Sequence, residues 1–181
     1  MNKIILISSF LVTLISCATS KTGETSKKET NHEKTLVQQA EIKQAVEARR
    51  FLIKFDRLYS STGGRRDLKP TYNYILLDGE RVEISAAYMG RQYGNRPIKG
   101  IDMVGKAVAF ELKNNASKGT YEIKMKVKND QNTFDLSVTI SNDGYCNASV
   151  VSYKIDNVRY TGNFMPLKPK EETGEPAKMS I

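Results

Sequence analysis

The chain has 181 residues, with 28 Lys and Arg against 20 Asp and Glu, a net charge of +8, one His and two Cys. That length suits a single folded domain. The one histidine, His32, lies upstream of every strand-like segment, which excludes a His-based catalytic triad and a His-rich metal centre from the region that folds.

In chain order, the first element is a leader. Met1-Asn2-Lys3 carries one positive charge, and residues 4–14 are apolar except for Ser8, Ser9 and Thr13. This length fits a signal-peptide core and is too short for a membrane-spanning helix. Leu14-Ile15-Ser16-Cys17 follows the bacterial lipobox pattern, so residues 1–16 are expected to be a signal peptide and Cys17 the site of lipidation. Ala18, in place of the Asp that marks inner-membrane retention, points to a lipid-anchored protein of the cell envelope, at the outer membrane. Two or more acyl chains make such an anchor firm. Lipidation of Cys17 leaves Cys146 without a disulfide partner. No histidine is near to activate it, so a buried, inert thiol is expected.

Residues 17–32 are expected to be a flexible tether, because the stretch is rich in Thr, Ser, Lys and Glu and offers nothing large and apolar to bury. Residues 33–50 favour a helix, with no Gly or Pro, Asn31 as N-cap and Glu33 in the first turn. Its apolar positions, Leu36, Val37, Ala40, Ile42, Ala45 and Val46, spread around the helical wheel and leave the docking face open.

At Phe51 the apolar period changes to two. Strands are expected over residues 51–59, 72–78, 82–88, 106–113, 121–128, 134–140, 145–153 and 158–164. Tyr121, Ile123, Met125 and Val127 alternate with Glu122, Lys124, Lys126 and Lys128, which describes a strand with one dry and one wet face. Asp78-Gly79 and Asn142-Asp143-Gly144 supply turn chemistry. The fold class is therefore mostly β: an antiparallel meander of about eight strands over residues 51–164, forming a barrel or sandwich after one N-terminal helix. Residues 165–181, with Pro166, Pro169, Gly174 and Pro176, are expected to be a disordered tail.

The sequence Ala45-Val46-Glu47-Ala48-Arg49-Arg50-Phe51 leads into the first strand, and Gly63-Gly64-Arg65-Arg66-Asp67-Leu68 precedes the second. Tyr88-Met89-Gly90-Arg91-Gln92-Tyr93, Tyr121-Glu122-Ile123 and Phe134-Asp135-Leu136 follow in order. Together they resemble a bacterial lipoprotein family, domain of unknown function 4251. The resemblance implies a lipid-anchored, mostly β domain and supplies no catalytic residues.

No chemical motif emerges from the residues: no metal cluster, no Walker phosphate loop and no cofactor signature. Two Gly-rich basic loops do stand out. Residues 60–71 contain Arg65, Arg66 and Lys69, and residues 90–105 contain Arg91, Tyr93, Arg96 and Lys99. A meander sends both loops out at the same end, where guanidinium groups and glycine amides could cradle an anion. The function expected is a non-catalytic binding module for an anionic ligand or acidic protein partner. The alternative is an interaction or inhibitor lipoprotein acting on an envelope enzyme. The compartment argues against nucleic acid.

Overall fold

In a computed structural model of the chain, residues 23–93 and 100–167 are described, with side chains from Thr35 onward. The expected leader, Cys17, most of the tail, Arg96 and Lys99 lie outside the described residues. Helix α1 (Gly23–Glu47) comes first. Nine strands follow: β1 (Arg50–Ser60), β2 (Arg65–Asp67), β3 (Tyr74–Asp78), β4 (Arg81–Ala87), β5 (Gly100–Asn115), β6 (Thr120–Lys128), β7 (Thr133–Ser141), β8 (Tyr145–Ser152) and β9 (Ile155–Pro166). Each strand pairs antiparallel with its neighbours, and β1 pairs β9, so eight strands close into a barrel. The ninth, β2, is a three-residue addition to the upper half of β1.

Alternation drives the closure. Phe51, Ile53, Phe55 and Leu58 on β1 meet Ile75, Leu77, Ile123, Leu136, Val138 and Tyr160 inside, all at 2% exposure or less. Each such side chain contributes about 1.5–3 kcal/mol through burial. The Phe55 and Tyr160 rings stack at 4.6 Å between centroids, and Phe51 and Phe164 lie tilted at 5.2 Å. Tyr160 keeps its hydroxyl satisfied by donating to Ala87 O at 2.8 Å, and burial pushes its pKa up. Cys146 is fully buried and free, and burial pushes its thiol up to about 12.

Where β1 and β9 meet, the register shifts between Phe55 and Arg57. The extra residue, Asp56, puts a bulge in β1, and bulges bend a strand. Gly162 sits beneath this bend so closely that a Cβ there would stand 2.0 Å from Lys54 O.

The helix differs from its expected bounds of 33–50 at both ends. It begins at Gly23, inside the segment expected as tether, and ends at Glu47. Glu and Lys in that segment have good helix propensity and no Pro interrupts them, so a helix anchored further along can extend back through them. The anchor is Ile42, Ala45 and Val46, which pack against the barrel end where β1 starts and β9 finishes. Gln38 Nε2 donates to Asp143 O at 3.0 Å and adds a polar tie. Leu36 and Val37 remain about half exposed. The chain leaves the helix through Arg49, whose φ of 53° is left-handed and lets Arg50 enter β1.

β5 also differs from expectation: it starts at Gly100, six residues before the predicted strand. Ile101 and Met103 are buried and alternate with exposed Asp102 and Val104, a period-two signal hidden between two glycines.

Candidate functional site

Of the two expected basic loops, 60–71 contains β2 and 90–105 gives its last six residues to β5, while the described parts 61–64 and 88–93 leave from the same end of the barrel and touch. Residues 61–64 form a tight turn in which Ser60 N donates to Gly64 O at 2.9 Å and Gly63 adopts a φ of 88°. A Cβ on Gly64 would lie 3.1 Å from Met89 Cε, so this turn packs on the segment that follows β4. That segment crosses to the start of β9. Tyr93 N donates to Lys154 O, Asp156 N donates to Arg91 O, and Tyr88 Oη donates to Arg91 O.

A carboxylate stands at the junction. Asp156 accepts from Tyr93 Oη at 2.6 Å and from Ser61 Oγ at 3.2 Å. The bond from Tyr93 holds the Asp156 carboxyl below the usual carboxylate value, and the same bond raises the Tyr93 phenol. The Tyr93 hydroxyl is thus engaged within the protein. Arg91 is exposed beside this latch, whereas Lys69, exposed too, lies beyond the far end of β2, where its carbonyl accepts from Tyr72 N and Asn73 Nδ2.

Arg65 and Arg66 separate, because successive strand residues point to opposite faces. Arg66 pairs Leu58, an inward position, while Arg65 pairs Tyr59 on the outer face. Tyr59 in turn pairs Arg159, Arg159 pairs Ser149, and Ser149 pairs Ser137. Directly paired residues share a face, so Arg65, Tyr59, Arg159, Ser149 and Ser137 form one cross-strand row. The next row holds Asp67, Arg57, Thr161, Asn147 and Thr139.

These rows floor an open depression of about 440 Å³ lined by Tyr59, Ser137, Thr139, Tyr145, Asn147, Ala148, Ser149, Arg159 and Thr161. Its shape follows from side-chain size. The outer positions of β6 are Glu and Lys, whereas those of β7 and β8 include Ser137, Thr139, Asn147 and Ser149, which are short. Taller Tyr59, Tyr145 and Arg159 border that low ground. Within the depression Arg159 stands over Tyr59, its guanidinium carbon 6.0 Å from the ring centroid, and it has no carboxylate partner among the described residues. Arg57, one row away, is paired with Asp67 at 3.1 Å, and Thr161 Oγ1 donates to Asp56 Oδ1 at 2.9 Å. The sequence reading missed this face because it sought function in loops. The available signal was the run of small polar residues at alternate positions of residues 137–149.

A second depression, about 550 Å³ and mostly apolar, lies between α1 and the strand ends, lined by Glu41, Gln44, Ala45, Ala48, Arg50, Pro166 and Leu167. Among the described residues no group of three or more His, Cys, Asp or Glu could hold a metal. No described helix is long and apolar enough to cross a membrane.

The sequence profile of DUF4251, a domain of unknown function, matches residues 33–164. The chain belongs to the DUF4251 family. The crystal structure of a DUF4251 family protein from Bacteroides eggerthii DSM 20697 superposes with a TM-score of 0.61 at 14% identity, covering 72% of this chain and 88% of that one. At that identity the likeness concerns the fold. No curated protein matches. Within this DUF4251 chain, the matched region takes in the barrel, the latch at Asp156 and the polar face around Arg159.

Proposed function

We propose that this DUF4251 chain is a non-catalytic binding module that takes an anionic, hydroxyl-rich ligand, of the class of an acidic glycan, on the polar face around Arg159. The observation that carries this reading is Arg159 itself: a guanidinium without a carboxylate, set in a depression of about 440 Å³ among hydroxyls, an amide and two tyrosines. A guanidinium offers a planar fork of donors to a carboxylate or phosphate. Tyrosine rings and short polar side chains suit the alternating apolar and hydroxyl faces of a sugar. Arg65, in the same row, adds a second positive charge, so of the expected loop residues it is the one this reading retains.

We further propose that the domain works at the cell envelope, tethered through a lipid on Cys17. The support is the lipobox at residues 14–17.

The test is binding of oligogalacturonate against a neutral oligosaccharide of equal length, by calorimetry at two salt concentrations. Acidic binding should weaken with salt, because exposed charges are screened within about 8–10 Å. Arg159→Gln should weaken it about tenfold or more, as loss of a charge-assisted hydrogen bond does. Equal affinity for the neutral sugar, or an Arg159→Gln protein that binds the acidic one as well as the parent, overturns the reading.

A further inference from the structure

Among the described residues, β5 has a long stretch of open sheet edge. β5 pairs β4 only from Gly100 to Lys106, then runs on to Asn115 with β6 alone. Beyond Lys106 no described strand pairs the other side of β5, and Arg49, just past α1, places its guanidinium 4.3 Å from the Phe110 ring centroid. The segment is open on its faces too: Val108 is 58% exposed and Leu112 37% exposed, and Ala109, Glu111, Lys113 and Asn114 are exposed beside them. Along a strand, alternate residues aim their N–H and C=O groups to the unpaired side, where they are a template for another strand.

Charges on such edges commonly blunt them, and Lys106 together with the register shift between Ala107 and Ala109 has that effect at the upper end. Glu111 and Lys113 have a different consequence. They lie two residues apart, on the same outer face as Lys124 and Glu122 of β6. If two copies pair antiparallel about a two-fold axis at Leu112, Glu111 of each copy falls opposite Lys113 of the other. Leu112 then meets Leu112, and Phe110 meets Asn114. A shift by one step to either side, keeping the faces aligned, sets Glu111 against Glu111 or Lys113 against Lys113, which repel. One register alone is therefore self-complementary, and it covers the exposed Leu112. We propose that this edge is a homodimer interface, in which the 109–115 segments of two copies join into a continuous antiparallel sheet centred on Leu112. The isologous geometry follows from the two-fold axis.

The test uses the full chain in detergent micelles. Sedimentation should show a concentration-dependent dimer. Glu111→Lys alone, or Lys113→Glu alone, should weaken it about tenfold by placing like charges opposite each other. The double swap Glu111→Lys with Lys113→Glu should restore it. Under mild oxidation Leu112→Cys should give a covalent dimer, because residues directly opposite across strands bring their Cβ atoms to about 4.5–5.5 Å. Glu111→Cys should cross-link much less, being displaced from its own copy. All these positions are exposed, and unchanged thermal melting checks that the variants fold. A chain that stays monomeric at every concentration overturns the proposal. So does a dimer indifferent to the charge reversals, which would place the contact elsewhere, for instance at Leu36 and Val37. Cross-linking of Leu112→Cys to a different protein and never to itself overturns it as well.

Discussion

Two seams of the same sheet behave in opposite ways. At the seam between β1 and β9, pairing runs from Phe51 to Ser60, the Phe55 and Tyr160 rings stack inside, and Gly162 lets the backbones approach beneath the bend. At the seam between β4 and β5, pairing stops at Lys106 and nine further residues of β5 continue with one neighbour. The first seam has inward aromatics on both strands. On the second, the inward row of β5 past Met103 is broken by Gly105, Ala107 and the register shift at Val108, and the burial alternation fades before Phe110 and Leu112. A barrel closes where the facing rows are large enough to fill its interior, and a strand that outruns its partner keeps an edge.

The largest expected effect breaks the closed seam. Phe55→Ala should cost about 3–5 kcal/mol, measured by urea unfolding, because its cavity would lie against Tyr160 in the packed interior. Leu112→Ala, on the open edge, should change monomer stability by less than about 0.5 kcal/mol. Equal costs at the two positions would mean that the β5 edge is packed in solution.

A smaller effect concerns backbone approach. Gly162→Ala should destabilise by about 1–3 kcal/mol, since the added Cβ meets Lys54 O and Phe55 Cα and the bend must shift. Thermal melting reads this, and an unchanged midpoint would show that the bulge moves freely.

The smallest effect is local. The Tyr93–Asp156 bond lowers the Asp156 carboxyl below 3.8, so its contribution is complete above that value and is lost as pH falls through the lower folded value. The Tyr93 phenol is raised above 10.0, so its contribution is complete below that value and is lost as pH rises through the raised folded one. Between those limits Asp156→Asn should reduce amide-exchange protection at Gln92 and Tyr93 without moving the global midpoint. A drop in global stability would show that the latch belongs to the barrel's cooperative unit.

The barrel was readable because each of its strands needs only a period of two and a turn, and both are local. Tyr121 to Val127 shows this: the four inward residues could be named from alternation alone, and all are buried at 8% exposure or less. The helix ends were less legible, since Gly23 to His32 carries no apolar signal and extends a helix whose anchor, Ile42 with Val46, lies further along. Within the candidate site, Arg65 was visible as a loop cation, whereas Arg159 was hidden inside the strand predicted over residues 158–164.

The order of residues by itself determined the strand faces, the turn positions, the buried thiol of Cys146 and the exit of two loops at one end, because these depend on near neighbours and on the handedness-free rule of alternation. Only the tertiary structure decided which rows stand side by side. Register across β2, β1, β9, β8 and β7 joins Arg65, Tyr59, Arg159, Ser149 and Ser137, although they lie up to 100 positions apart in the chain. It likewise set Asp156 between Ser61 and Tyr93, and it stopped β4 short of β5. Such pairings are fixed by the packing of the whole interior, where a one-residue slip in any strand would turn its apolar side chains to water.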